Sequence, residues 1–214
     1  MAGETRTILV TAFEPFGGET INASWEAARR LEGWRRGDYA AVVRLLPCAY
    51  EASVKELVRT IETLRPAAIV MTGQAARRGA VCVERFARNL NDAAAPDNSG
   101  VLRRGLRISR AAPEWLEATT PVTPIVRAIN EAGVPARISR NAGGFVCNHL
   151  YFGALRYLGD FDRPVPAVFL HLPATPEQTS SAPAAKRLAP ARAADALRAA
   201  ASAMVDVSQS SEAA

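Results

Sequence analysis

Short apolar runs alternate with amphipathic stretches along this chain, and this alternation restricts the fold more than any other feature. Buried-strand patterns cover residues 8–12, 40–46, 67–72, 136–139 and 166–172. Helical spacing covers residues 25–31, with Asn22 or Ser24 as its cap, and residues 52–64, 122–132, 145–158 and 191–205. Strands that alternate with helices predict a three-layer α/β/α sandwich around a mixed, largely parallel sheet.

The length and composition fit one catalytic domain over residues 1–214. The chain is 49% hydrophobic and 22% charged, which excludes a wholly disordered protein. Residues 74–121 show little periodicity, and we expect them to be rich in loops. From Thr179 the chain is rich in Ala, Ser and Pro, which predicts a tail (179–214) with one helix and a disordered end.

Neither a membrane nor a nucleic acid is an expected partner. The sequence has no apolar run of eighteen residues, and its amino terminus leads into a strand pattern instead of a signal peptide. We therefore expect a cytoplasmic protein. The formal net charge is +5, but the basic residues are scattered arginines and not the clustered stripe that nucleic-acid binding usually needs.

Three features lie where predicted parallel strands end, which is where such sheets bind ligands. They are the loop Phe13–Gly18, the pair Gly73-Gln74, and His171. A histidine at the end of a buried strand is a candidate general base.

Cys147 is the candidate nucleophile, because Gly143-Gly144 precede it at the start of a predicted helix. The helix dipole would lower its pKa, and free amide groups there could stabilise an oxyanion. The alternative is a small buried hydrophobic residue. His149 lies two positions further, points elsewhere, and is interpreted as a locally bonded helix residue.

The remaining candidates give weaker signals. Glu84 beside Arg85 is typical of a solvated surface pair, and Cys48 and Cys82 are interpreted as structural or incidental. No phosphate-binding loop or nucleophile elbow occurs, and the Cys and His residues lack the ligand spacing of a zinc site, so no metal is expected.

Four blocks of sequence then occur in a fixed order over residues 7–178. They are Phe13-Glu14-Pro15-Phe16-Gly17-Gly18 with Asn22 and Ser24-Trp25; Gly73-Gln74-Ala75 with Glu84-Arg85 and Asn89; Ser139, Ala142-Gly143 and Phe145-Val146-Cys147-Asn148-His149; and Phe169-Leu170-His171-Leu172-Pro173 with Pro176-Glu177-Gln178. Together these blocks resemble the motifs of the pyroglutamyl peptidase I family, also called pyrrolidone carboxyl peptidases.

The resemblance implies a cofactor-free cysteine peptidase that removes an N-terminal pyroglutamyl residue from peptides through a thioester acyl-enzyme. It implies a triad of Cys147, His171 and Glu84, with Glu84 orienting the imidazole. It also implies that the lactam ring contacts Phe13, Phe16, Phe145 and Val146, with Asn22 and Gln74 nearby. Family members often form tetramers, so a homo-oligomer is possible.

The sequence also departs from the family pattern near the implied pocket. Ala94 stands where the family usually has arginine, Ala95 where it has isoleucine, and Arg140 where it has asparagine; Cys48, Cys82 and Phe86 also differ from the usual residues. Two alternatives therefore stay open: an enzyme for a different small lactam or acyl amide, and a catalytically weak binding homologue.

Overall fold

The computed structural model describes residues 5–162, 165–178 and 186–212. The strands are β1 (Arg6–Phe13), β2 (Arg35–Arg36), β3 (Tyr39–Leu46), β4 (Ala68–Gln74), β5 (Val81–Glu84), β6 (Phe86–Arg88), β7 (Trp115–Glu117), β8 (Ala136–Ser139) and β9 (Ala167–Leu172). The helices are α1 (Ala23–Ala28), α2 (Tyr50–Leu64), α3 (Val122–Glu131), α4 (Val146–Leu158) and α5 (Pro190–Glu212), and a 3₁₀ turn at Arg29–Leu31 follows α1.

Seven strands form one mixed sheet in the order β2-β3-β1-β4-β9-β5-β8. The four central strands β3, β1, β4 and β9 are parallel, whereas β5 runs antiparallel to β9 and β8 runs parallel to β5. Strands β6 and β7 pair separately. The predicted mixed, largely parallel sheet of a single α/β domain is confirmed.

Two hydrophobic cores lie on opposite faces of this sheet, because successive side chains of a strand point in opposite directions. On β1, Ile8 and Val10 join the core that includes α1, α3 and α5. Leu9 and Phe13 join the other core, which includes α2 and α4. The helices thus cover both faces, as the predicted three layers require.

The expectation of a loop-rich stretch at residues 74–121 was partly wrong. This stretch holds β5, β6 and β7. Strand β5 was missed because it is short and because it ends in Glu84, a charged residue that is fully buried. Strands β6 and β7 are three residues each and pair across a long loop, so neither has a periodic pattern of its own.

The C-terminal helix is longer than its sequence pattern predicts. Helix α5 spans Pro190–Glu212, whereas the spacing predicts residues 191–205. Residues 179–185 and 213–214 lie outside the described residues, so the predicted disorder of the end stays a prediction. Among the described residues no helix is both long and apolar enough to cross a membrane.

Candidate active site

The sheet register brings Glu84 and His171 together. Strands β5 and β9 are antiparallel neighbours in which Cys82 lies opposite His171 and Glu84 lies opposite Phe169. Glu84 is therefore the diagonal neighbour of His171 on the same face of the sheet. His171 Nδ1 donates to Glu84 Oε1 at 2.8 Å, and both side chains are buried. The expectation of a solvated Glu84–Arg85 surface pair was wrong, because Arg85 instead pairs with Glu117.

Cys147 reaches the same place from helix α4. A Cβ atom on Gly73 would lie 2.6 Å from Cys147 Sγ, so the sulfur lies directly over the backbone of Gly73. Gly73 on β4 is the register partner of His171 on the adjacent parallel strand β9. Since neighbouring strands lie only about 4.8 Å apart, the thiol is beside the imidazole. Only glycine leaves room for the sulfur at this point.

The titration behaviour differs from the prediction made for Cys147. Burial raises the pKa of the thiol, and the nearby Cys48 and Glu84 raise it further. Burial also lowers the pKa of His171, against the opposing effect of Glu84. This direction is opposite to the one expected from the helix start, because desolvation is the largest effect on the thiol.

An arginine that the sequence did not single out completes this cluster. Arg78, in the loop between β4 and β5, donates to Glu84 Oε1 at 2.5 Å, the oxygen that also accepts from His171. Its other contacts are Ser139 Oγ at 3.1 Å and the carbonyl oxygen of Asn141 at 2.7 Å. The sequence offered no signal for it, since Arg77-Arg78 resembles the many other short arginine pairs.

Aromatic side chains border the cysteine. The ring centroids of Phe16 and Phe145 are 5.9 Å apart, and Tyr50 packs edge-on against Phe145 at 5.8 Å. Phe16 and Phe145 are partly exposed, whereas Phe13 and Val146 are buried in the core. Of the predicted ring-contact residues, Phe16 and Phe145 thus pack against each other and remain accessible.

Asn22 and Gln74 hold the chain around these rings. Asn22 caps α1, because its Oδ1 accepts from the amide and the hydroxyl of Ser24, while its Nδ2 donates to Glu14 O. Gln74 Oε1 accepts from the Ala23 amide at 2.8 Å, which ties the end of β4 to the start of α1. Both side chains therefore fix the shape of the loop that carries Phe16.

His149 is part of the helix packing, but its partner is distant in sequence. Its Nδ1 lies 3.2 Å from the side-chain amide of Asn91, and its ring packs edge-on against Tyr50. The predicted local bond was therefore wrong, because the imidazole contacts a loop 58 residues away. Among the described residues, no three His, Cys, Asp or Glu side chains form a group that could hold a metal.

The two other cysteines are buried and unpaired. Burial raises the pKa of Cys48 to about 12, so its thiol stays protonated. Cys82 accepts from Arg137 Nε at 3.4 Å. Neither cysteine has the setting at a helix start that Cys147 has.

Ala94, Ala95 and Arg140 are departures from the family pattern that lie at the surface, whereas the departures Cys48 and Cys82 are buried. Ala94 and Ala95 are exposed in the loop that follows β6. Their loop begins beside Gly144, because the Asp92 amide donates to the Gly144 carbonyl. Arg140 stacks over Phe86, with its guanidinium carbon 5.5 Å from the ring centroid.

Comparisons with known proteins agree with this arrangement. The family model described as pyroglutamyl peptidase matches residues 6–207. The pyrrolidone-carboxylate peptidase of Cupriavidus necator is 42% identical over 91% of this chain and 91% of its own length. That of Chromobacterium violaceum is 43% identical over 84% of this chain and 83% of its own.

Solved structures of related proteins are also similar to this chain. The crystal structure of Bacillus amyloliquefaciens pyroglutamyl peptidase I superposes with a TM-score of 0.89 at 37% identity, covering 94% of this chain and 97% of that one. A mutant pyrrolidone carboxyl peptidase from Pyrococcus furiosus gives a TM-score of 0.88 at 31% identity, covering 94% and 98%. The chain belongs to the pyroglutamyl peptidase family, cysteine peptidases that remove N-terminal pyroglutamate.

Proposed function

We propose that Cys147, His171 and Glu84 are the catalytic triad with which this protein hydrolyses the amide bond after an N-terminal pyroglutamyl residue. The observation that supports this assignment best is the convergence of three elements. Glu84 on β5 holds His171 on β9 at 2.8 Å, and Cys147 Sγ from α4 lies over Gly73, the neighbour of His171.

The first half of the reaction forms a thioester. Because the carboxylate of Glu84 only accepts hydrogen bonds, Nδ1 of His171 carries the proton and Nε2 is free to act as a base. Cys147 Sγ attacks the amide carbonyl carbon as its proton passes to Nε2. The tetrahedral intermediate collapses, its C–N bond breaks, and the imidazolium protonates the departing amine.

We assign the stabilisation of the oxyanion of that intermediate to amide groups at the start of α4. The helix begins at Val146 without a side-chain cap, so the amides of its first turn have no side-chain acceptor at the cap position. Water then attacks the thioester with His171 again as the base. This step releases 5-oxoproline and restores the neutral thiol.

The pyroglutamyl ring is assigned to the aromatic side of the site. We expect Phe16 and Phe145 to contact the lactam, since a flat ring between aromatic side chains is favourable. Phe13 and Val146 support these residues from the core, while Asn22 and Gln74 hold the loop. A different lactam or acyl amide is the alternative substrate, because Ala94 and Ala95 depart from the family pattern.

The test is the release of a chromogenic amine from a pyroglutamyl amide under reducing conditions. We expect Cys147→Ala and His171→Ala to lose activity by at least about a thousandfold, because the nucleophile or its base is missing. Cys82→Ser is the matched control and should keep most of the activity. Undiminished turnover by Cys147→Ala would refute the assignment of the nucleophile.

A panel of amides with different N-terminal blocking groups identifies the substrate. We expect the pyroglutamyl amide to have the highest kcat/KM of the panel. Preference for another lactam would favour the altered pocket at Ala94 and Ala95. Tight binding of a pyroglutamyl peptide without turnover would favour the binding homologue.

We also propose a cytoplasmic location and a homo-oligomeric state for this protein. All three cysteines are free, and the mechanism needs a reduced Cys147, which fits the reducing cytoplasm. The family resemblance supports a homo-oligomer up to a tetramer. Cell fractionation tests the first proposal, and light scattering coupled to size-exclusion chromatography tests the second.

A further inference from the structure

Arg78 connects β5, which carries Glu84, with the end of β8 and the segment that leads to α4. Its side chain is 23% exposed, whereas Glu84 is fully buried. From the loop before β5 it donates to Glu84 on β5, to Ser139 at the end of β8, and to the Asn141 carbonyl in the segment that leads to α4. No part of the reaction described above uses this guanidinium.

The contacts of Glu84 explain why a cation is needed there. Glu84 Oε1 accepts from both Arg78 and His171, while the buried Oε2 has no hydrogen-bond partner among the described residues. A fully buried carboxylate that faced only a neutral imidazole would pay a large desolvation cost. The guanidinium of Arg78 offsets that cost by placing a positive charge beside Glu84 Oε1.

We propose that Arg78 is a positioning residue, whose positive charge compensates the buried carboxylate of Glu84 beside His171 and whose forked contacts align Glu84 with the segment before Cys147. This inference rests on the proposed triad. The charge of Arg78 and its hydrogen-bond geometry can be tested separately. A lysine at this position keeps the positive charge but lacks the several fixed N–H donors of the guanidinium. The two roles therefore predict different consequences for different variants.

The charge of Arg78 determines at which pH the Glu84–His171 dyad takes up a proton. The groups that face His171 are Glu84 and Cys82 from β5, Cys147 from α4, and Arg78 from the loop before β5. Glu84 raises the pKa of His171 and Arg78 lowers it. Removing the positive charge raises the proton affinity of the dyad, whichever member holds the proton.

The experiment compares pH profiles of kcat/KM for the parent, Arg78→Gln and Arg78→Lys. For Arg78→Gln we expect the acidic limb of the kcat/KM profile to move to a pH about one unit higher. For Arg78→Lys we expect the limb to stay in place while kcat falls, by up to about a hundredfold, because misalignment is costly. Arg77→Gln, at the exposed neighbouring arginine, is the matched control. Its acidic limb and its kcat should equal those of the parent.

The pH dependence of Cys147 alkylation by iodoacetamide separates this inference from the proposed function. Alkylation needs His171 as a base but no peptide hydrolysis, so it reports on the dyad even in a protein that does not turn over. We expect the same upward shift in Arg78→Gln. The inference is wrong if the pH profiles of kcat/KM and of alkylation are the same for Arg78→Gln and the parent and only the melting temperature of the variant falls. Arg78 would then be merely structural.

Arg78→Lys keeps the test decisive if Arg78→Gln does not fold. An Arg78→Lys enzyme with the kcat of the parent would refute the alignment role. An Arg78→Lys profile shifted upward, although the charge is retained, would refute the electrostatic role.

Discussion

At the residue scale, the absence of one side chain makes the site possible. Gly73 has no positive φ, so its backbone would accept any residue. A Cβ there, however, would lie 2.6 Å from Cys147 Sγ and 2.9 Å from Phe169 Cζ. Such distances are too short for non-bonded atoms, and the short cysteine side chain cannot move away without losing its place beside His171. Gly73 therefore belongs to the site although it carries no chemistry.

Gly73→Ala should lower kcat/KM by about a hundredfold or more, because the sulfur is displaced by an ångström or so. Some stability should be lost as well, since Phe169 must also shift. Gly79→Ala is the matched control, because its new Cβ would meet only the flexible Lys186 side chain at 3.2 Å. Activity and thermal denaturation of both variants check this. An active Gly73→Ala enzyme would mean that the sulfur does not need its position over Gly73.

The residues of the site differ in how far the sequence could reveal them. His171 and Cys147 were candidates from local patterns, namely the end of a buried strand and a glycine pair before a helix. Glu84 followed only from the family resemblance, because its burial depends on the pairing of β5 with β9. Arg78 was not found, since its role depends on segments that are distant in sequence.

At the scale of elements, helix α4 is fixed by polar side chains behind the nucleophile. Asn148 is fully buried; its Oδ1 accepts from the Arg88 amide, and its Nδ2 donates to the Arg88 and Leu90 carbonyls. Tyr151 donates to the Glu84 carbonyl at 3.1 Å, which joins α4 to β5. These bonds set the position of Cys147 relative to Glu84.

His149 on the same helix makes stability depend on pH. Burial lowers its pKa from 6.5 to about 4, against a smaller opposing effect of Glu51. Between these values the unfolded chain binds a proton that the folded protein does not, so stability rises with pH. The contribution is present above pH 6.5 and is lost as the pH falls toward 4.

His149→Gln should therefore flatten the dependence of the free energy of unfolding on pH. Over the range from about pH 7 to about pH 4.5 we expect the parent to lose about 2 kcal/mol more than the variant, since one pKa unit corresponds to about 1.4 kcal/mol. His171 contributes in the same direction in both proteins and cancels in the comparison. Urea denaturation across this range provides the measurement. Parallel curves would contradict the burial argument.

Long periodic elements were predicted from the sequence and short ones were not. Helix α2 and strand β9 lie within two residues of their predicted bounds, because apolar spacing alone determines them. Strand β5 was missed, although it carries the proposed triad acid, because four residues that end in a buried charge do not resemble a strand. Its pairing with β9 is a long-range contact that local patterns do not contain.

At the scale of the whole molecule, the site forms where strand pairing in the sheet changes from parallel to antiparallel. The parallel strands β4 and β9 contribute Gly73 and His171, and the antiparallel β5 contributes Glu84. A helix from the second core then brings Cys147 onto the same face. No single segment holds the proposed triad, which explains why a family match over residues 6–207 supports the function better than any one motif.

The central claim is that the Cys147 thiol forms a covalent intermediate with the pyroglutamyl group. The most direct measurement is the mass of the protein after mixing with a pyroglutamyl amide and rapid acid quenching, followed by peptide mapping. The account predicts one added pyroglutamyl group on the peptide that contains Cys147, and none in Cys147→Ala. Turnover with the group on another residue, or undiminished turnover by Cys147→Ala, would contradict it.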